Sequence, residues 1–115
     1  MRTTMEEQRL DALFTALSDR TRRDIVARLS TGEATVKELA EPYAMSMQAV
    51  SQHIRVLERS GLVSRGRRRQ TRPCRLEPAA LQAAVSWIEE SRRTWSDRMD
   101  RLETHLAGLQ EREGQ

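Results

Sequence analysis

Between Leu81 and Leu109 the apolar residues fall in alternating steps of four and three. They are Leu81, Val85, Ile88, Trp95, Met99, Leu102, Leu106 and Leu109, with Arg92 the sole interruption. This is a heptad seam held over four repeats, the pattern of a helix that packs along its length against another helix. The spacing predicts a helix over 79–110, opened by Pro78 in its first turn. At 1.5 Å per residue that helix runs about 45–50 Å, farther than one small domain covers. The economical partner is the same helix of a second copy, with helix one packed alongside; a helix folded back in two pieces onto its own body is the alternative. The interface residues so expected are Leu81, Val85, Ile88, Trp95, Met99, Leu102 and Leu106. Glu89 with Arg93 and Asp97 with Arg101 add i,i+4 pairs in the favourable order.

A second pattern runs from Ser46 to Gly61. Val50, Ile54 and Leu57 fall at i, i+4 and i+7 and form one apolar stripe. At about 100° per residue, Gln48, Ser51, Gln52 and Arg55 land on the opposite side. Ser46 is a good N-cap and Gly61 sits where a left-handed C-terminal cap belongs. The outward face carries no acid, and glutamine and arginine are the side chains that match adenine and guanine edges. An ordinary solvated helix face fits the same residues, so the neighbouring sequence has to decide.

That neighbourhood is basic. Residues 55–75 hold eight arginines (Arg55, Arg59, Arg65, Arg67, Arg68, Arg69, Arg72 and Arg75) against one acid, Glu58. The segment is therefore +7, and since the whole chain is +3 the remainder is −4. A concentrated basic patch on a roughly balanced body is the footprint of phosphate binding. Leu62-Val63 begins a strand and Cys74-Arg75-Leu76 ends a second, with Gly66 and the arginines forming the tip of a hairpin between them. Pro73 inside the return strand limits it to an edge position. No other β structure is expected.

The first part of the chain reads as helices. Residues 1–4 are taken as frayed, and Leu10, Leu13, Phe14 and Leu17 predict helix one at 5–17. Ser18 or Asp19 caps a second helix at 19–30 with Ile25, Val26 and Leu29 inward. Arg20, Arg22 and Arg23 oppose the dipole in its first turn, which points to phosphate contact or to ion pairs with Asp19 or Asp24. Residues 31–34 form a turn. Thr35 and Glu38 make a capping box for a short helix at 35–42, ended by Pro42. A short helix, a tight turn and the Ser46 helix make a helix-turn-helix.

With these residues in view, the chain resembles the ArsR/SmtB family of winged helix-turn-helix transcriptional regulators. The resemblance rests on Ala16-Leu17-Ser18-Asp19-Arg20-Thr21-Arg22-Arg23-Asp24-Ile25, on Val36-Lys37-Glu38-Leu39-Ala40, on Ser46 to Leu57, and on Gly61-Leu62-Val63-Ser64-Arg65. It implies a symmetric homodimer that binds an imperfect palindrome in double-stranded DNA and represses transcription. The expected fold is mainly α with a small two-stranded β-wing. One domain spans 1–115, with a DNA-binding core at 12–77 and dimerisation helices at 5–17 and 79–110. Gln48, Ser51, Gln52 and Arg55 are the base-contact candidates. Ser46, His53, Arg67, Arg68, Arg69 and Arg72 are candidates for the backbone or minor groove.

Many relatives sense metal through paired cysteines on the short helix before the recognition helix. Here that segment reads Glu38-Leu39-Ala40-Glu41-Pro42-Tyr43, with no sulfur ligand, and the chain resembles a branch without that site. His105 with Asp97, Asp100 and Glu103 is a poor ligand set, so no metal and no cofactor is expected; the effector is unknown. Cys74 is read as a packed strand residue, with a thiolate sensor flanked by Arg72 and Arg75 as the alternative. Trp87 and Trp95 anchor a core or line an effector pocket. No phosphate loop or nucleophile motif points to an enzyme. No apolar run suits a membrane or a signal peptide, and a single cysteine suits a reducing compartment, so a cytoplasmic protein is expected. Two other functions remain open: a dimeric adaptor whose basic patch binds an acidic protein or RNA, and a redox- or metal-responsive repressor of the same fold.

Overall fold

A computed structural model describes residues 4–67 and 72–114. Seven elements follow in order: α1 (Met5–Leu17), α2 (Arg20–Leu29), α3 (Val36–Ala40), α4 (Met47–Arg59), β1 (Val63–Arg65), β2 (Cys74–Leu76) and α5 (Pro78–Glu113). The mainly helical fold with a small antiparallel sheet agrees with the sequence reading, and each helix lies within a few residues of its expected span. The chain divides into two compact units, Met1–Ala84 and Val85–Gln115.

In the first unit, local chemistry sets the helix ends. Asp19 caps α2 by accepting from the Arg22 backbone N–H at 3.0 Å, and Thr35 and Glu38 form the expected capping box on α3. Thr4 is not frayed. Its hydroxyl accepts from the Glu7 N–H while the Glu7 carboxylate accepts from the Thr4 N–H, a second capping box that orders the start of α1. The core gathers Leu13 and Ala16 of α1, Ile25, Val26 and Leu29 of α2, Leu39 of α3 and Val50, Ile54 and Leu57 of α4. Leu62, Val63, Cys74, Ala80 and Ala84 complete it. Each fully buried Leu or Ile there contributes about 1.5–3 kcal/mol through removal of apolar surface from water.

The wing differs from expectation in two ways. β1 and β2 pair antiparallel with Val63 opposite Leu76 and Arg65 opposite Cys74. On its other side Cys74 forms a bridge with Ala34, donating to the Ala34 carbonyl at 2.7 Å and accepting from the Ala34 N–H at 3.1 Å. Residues 31–34 therefore end in a one-residue strand contact, and β2 has a partner on both sides at Cys74. Pro73 lies just before β2, outside it. Its carbonyl accepts from the Gly66 N–H at 2.8 Å, but its ring nitrogen has no hydrogen to return the bond, so the ladder stops there.

The second unit is the remainder of α5. Its apolar residues lie along one exposed seam, with Val85, Ile88, Trp95, Met99, Leu102, Leu106 and Leu109 all open to solvent. Arg92, the interruption in the heptad, donates to Glu89 at 3.0 Å. Glu89 thus pairs at i,i+3 rather than with Arg93 as the sequence suggested.

Candidate nucleic-acid interface

The interface is built on α4, and both of its ends are fixed by its own sequence. The Ser46 hydroxyl accepts from the Ala49 N–H at 3.1 Å. At the other end Gly61 takes φ +86°, its N–H donates to the Glu58 carbonyl at 3.0 Å, and the Leu62 N–H donates to the Leu57 carbonyl at 3.1 Å. This pair of bonds is a Schellman cap, with buried Leu62 and Leu57 as its apolar partners. Val50, Ile54 and Leu57 seat the helix in the core, which leaves the other face outward.

On that outward face Gln48, Gln52 and Arg55 are exposed and Ser51 is half-buried. Together with Ser46, Met47 and Ala49 they line one shallow depression. Arg55 Nη1 donates to Gln52 Oε1 at 3.2 Å, so two of the base-contact candidates already hold one another. Met47, 52% exposed, shares the surface and was missed in the sequence reading. Its signal was there: Met47 and Ser51 are i and i+4, on the same side of the helix.

His53 stands apart from this group. It is half-buried, and its Nδ1 lies 3.2 Å from Arg22 Nη1 and 3.7 Å from Asp19 Oδ2, both on the α2 side. The N-cap bond from the Arg22 N–H, helped by the nearby Arg22 guanidinium, holds the Asp19 carboxyl below its ordinary range against an opposing effect of burial.

The first-turn arginines of α2 have a use the sequence did not suggest. Arg22 Nε donates to the Ala16 carbonyl at 2.7 Å, Arg22 Nη2 to Thr15 at 3.2 Å, and Arg23 Nη1 to Leu17 at 2.8 Å. These are carbonyls of the last turn of α1, which has no basic residue of its own there. Arg28 repeats the device one helix on. It donates to Leu39 and Glu38 at the end of α3 and lies 5.7 Å from the Tyr43 ring centre. Tyr43 in turn donates to Asp24. Burial, then this bond to a carboxylate, push the Tyr43 hydroxyl pKa up.

At the wing, Arg65 serves the scaffold. It pairs with Glu58 at 3.7 Å and donates from Nε to the Arg72 carbonyl at 3.0 Å. Arg75 pairs with Glu33 at 3.9 Å. Arg67 and Arg72 are exposed, while Arg68 and Arg69 lie outside the described residues. Cys74 is fully buried, and burial pushes its thiol pKa up despite the opposing charge of Arg65. The positive charge that acts on it is Arg65 rather than the flanking Arg72 or Arg75, and Glu58 opposes it. On α5, six of the seven predicted interface residues are exposed; Leu81 is half-buried against the core of the first unit. Among the described residues no group of three His, Cys, Asp or Glu side chains could hold a metal ion, and no helix is long and apolar enough to cross a membrane.

The geometry has close counterparts. A helix-turn-helix domain family matches residues 17–65. The crystal structure of an ArsR family transcriptional regulator superposes with a TM-score of 0.72 at 38% identity, over 76% of this chain and 97% of that one. The chain belongs to the ArsR family of transcriptional regulators. Two curated relatives agree with an ArsR-type helix-turn-helix regulator. Rv2034 of Mycobacterium tuberculosis, an HTH-type transcriptional regulator, is 42% identical over 73 residues, covering 64% of this chain and 68% of its own. The transcriptional repressor SdpR of Bacillus subtilis is 30% identical over 79 residues, covering 69% and 88%. A homodimeric winged helix-turn-helix DNA-binding domain from Mycobacterium bovis shares the fold, with a TM-score of 0.60 at 22% identity over 76% of this chain and 82% of that one.

Proposed function

We propose that this ArsR-family regulator is a homodimeric repressor that sets α4 of each copy into the major groove of a palindromic operator. The observation that carries the reading is the division of exposed surface. One helix, α4, presents polar side chains with no acid among them, and another, α5, presents an apolar heptad seam. The first suits base edges; the second suits its own copy. Half-buried Leu10, Phe14 and Leu17 allow α1 to join that dimer contact. The M. bovis homodimer supports the assembly, and the naming of SdpR as a repressor supports the direction of control.

In this reading Gln48, Ser51, Gln52 and Arg55 contact bases, and Met47 offers an apolar contact to a thymine methyl. The Ser46 hydroxyl, still able to donate, His53, Arg67 and Arg72 meet the backbone, with Arg68 and Arg69 expected beside them. Two recognition helices would stand about 34–36 Å apart, so operator half-sites repeat at one duplex turn.

The test is selection from a random-sequence duplex pool, paired with sedimentation. A palindrome bound about 10³-fold more tightly than random duplex is expected, by a dimer that Trp95→Glu converts to monomers. Equal affinity for every duplex would overturn the reading in favour of a basic adaptor, and a Trp95→Glu protein that stays dimeric would move the interface elsewhere.

A further inference from the structure

Arg22 joins three helices. Two of its nitrogens are spent on the Ala16 and Thr15 carbonyls at the end of α1, and the third, Nη1, lies 3.2 Å from His53 Nδ1 on α4. A guanidinium has hydrogens to donate and nothing to accept with. Nδ1 must therefore be the acceptor, and the hydrogen of the neutral ring must sit on Nε2. Asp19 Oδ2 is farther from the same nitrogen, at 3.7 Å, and already accepts the N-cap bond from the Arg22 N–H.

Nε2 takes no part in these contacts. Both contacts to the ring are made at Nδ1. No buried side-chain nitrogen or oxygen among the described residues lacks a hydrogen-bond partner. Nε2 must then reach water, consistent with a side chain that is 22% exposed. It does so from the helix that enters the groove in the reading above.

We propose that Arg22 is a positioning residue for DNA binding: by occupying Nδ1 it holds His53 in the tautomer whose Nε2–H donates to a phosphate oxygen of the duplex. The inference rests on α4 as the DNA-reading helix. It makes the His53 contact a directional bond from a neutral ring, carrying no charge to the backbone.

The tautomer is read directly by two-bond proton–nitrogen correlation spectra of the imidazole, on the full chain carrying His105→Gln so that His53 alone reports. At a pH where the ring is neutral, the Nε2–H pattern is expected. Arg22→Met should mix the tautomers, and Arg22→Lys, which keeps a donor, should restore the pattern. An Nδ1–H ring with Arg22 intact overturns the proposal, as does a spectrum that Arg22→Met leaves unchanged. Should Arg22→Met fail to fold, the His53 variants still decide. The amide nitrogen of His53→Gln stands near Nε2, whereas that of His53→Asn stands near Nδ1. Binding to random duplex should stay within about threefold for His53→Gln and weaken about tenfold for His53→Asn. The salt slope should be unchanged in both, because no charge is removed; a fall of about one per protomer would mean a cationic ring and overturn the tautomer assignment. Equal affinities for the two variants overturn the Nε2 contact. Failure of the unsubstituted chain to bind any duplex is a different result, which removes the DNA-reading role of α4 and this inference with it.

Discussion

Arg55 and Gln52 are joined at 3.2 Å, guanidinium to amide oxygen, across the exposed face of α4. To read an adenine with both ends of its amide, Gln52 must turn that oxygen to the base, and with two lone pairs the oxygen can keep Arg55 beside it as it does so. The two residues should therefore act together. Gln52→Ala is expected to cost about 1–3 kcal/mol at the selected operator. The double substitution with Arg55→Ala should cost less than the sum of the two singles. Competition binding against single-base operator variants checks this; strictly additive losses would mean the pair is not coupled in the complex.

Arg67 follows β1 and Arg72 precedes β2, and both are exposed. Replacing both with alanine should weaken binding to operator and random duplex alike. The slope of log affinity against log salt should become shallower by about two per protomer. A salt titration on both duplexes measures it. Loss confined to the operator would assign these arginines to base recognition instead.

Gly61 gives a stability prediction free of packing effects. A Cβ at this position would meet nothing within 4 Å, yet φ is +86°. Gly61→Ala should therefore cost about 1 kcal/mol of left-handed strain and nothing from steric overlap. Urea unfolding should show a shifted midpoint with an unchanged slope. An unshifted midpoint would mean the cap rearranges at no cost.

Asp19 predicts acid sensitivity. Its carboxyl is held below the ordinary range, first by the Arg22 N–H at the helix cap and then by neighbouring positive charge. A pKa depressed on folding stabilises the protein above the unfolded value, and that stability is lost as pH falls through the folded value. Asp19→Asn keeps a cap acceptor without the charge. Its stability should vary less with pH across the carboxylate range than that of the unsubstituted chain. Parallel profiles from thermal unfolding would assign the acid sensitivity to other carboxylates.

Cys74 should be inert while the protein is folded. It has no exposed surface, and burial raises its thiol pKa, so little thiolate forms near neutral pH. Iodoacetamide should leave it unmodified in buffer and label it fully in denaturant, as counted by mass spectrometry. Rapid labelling of the folded chain would restore the redox-responsive alternative.

The comparison of sequence with structure separates local from distant causes. Asp19, Ser46 and Gly61 were legible because a cap bonds backbone within four residues of itself, and the α4 stripe because its period is local too. The Thr4–Glu7 box was equally local and was passed over at a terminus assumed to fray. Ala34 could not be foreseen: a single residue has no alternation to read, and its partner Cys74 is far along the chain. The destinations of Arg22 and Arg28 were hidden for the same reason, since an arginine bound to a carbonyl of another helix looks, in sequence, like any surface charge. At the reading face, the residue types pointed to Gln48, Ser51, Gln52 and Arg55. That Gln52 and Arg55 hold each other required coordinates.

Among the described residues four guanidinium groups, those of Arg22, Arg23, Arg28 and Arg65, are bound to backbone oxygens of a different segment. They work as crossbeams, bracing one segment against the next. Tallying cationic residues therefore overstates how sharply brine should loosen the grip on a duplex. It also means that neutralising such an arginine would weaken the frame before it weakened any attraction for nucleic acid.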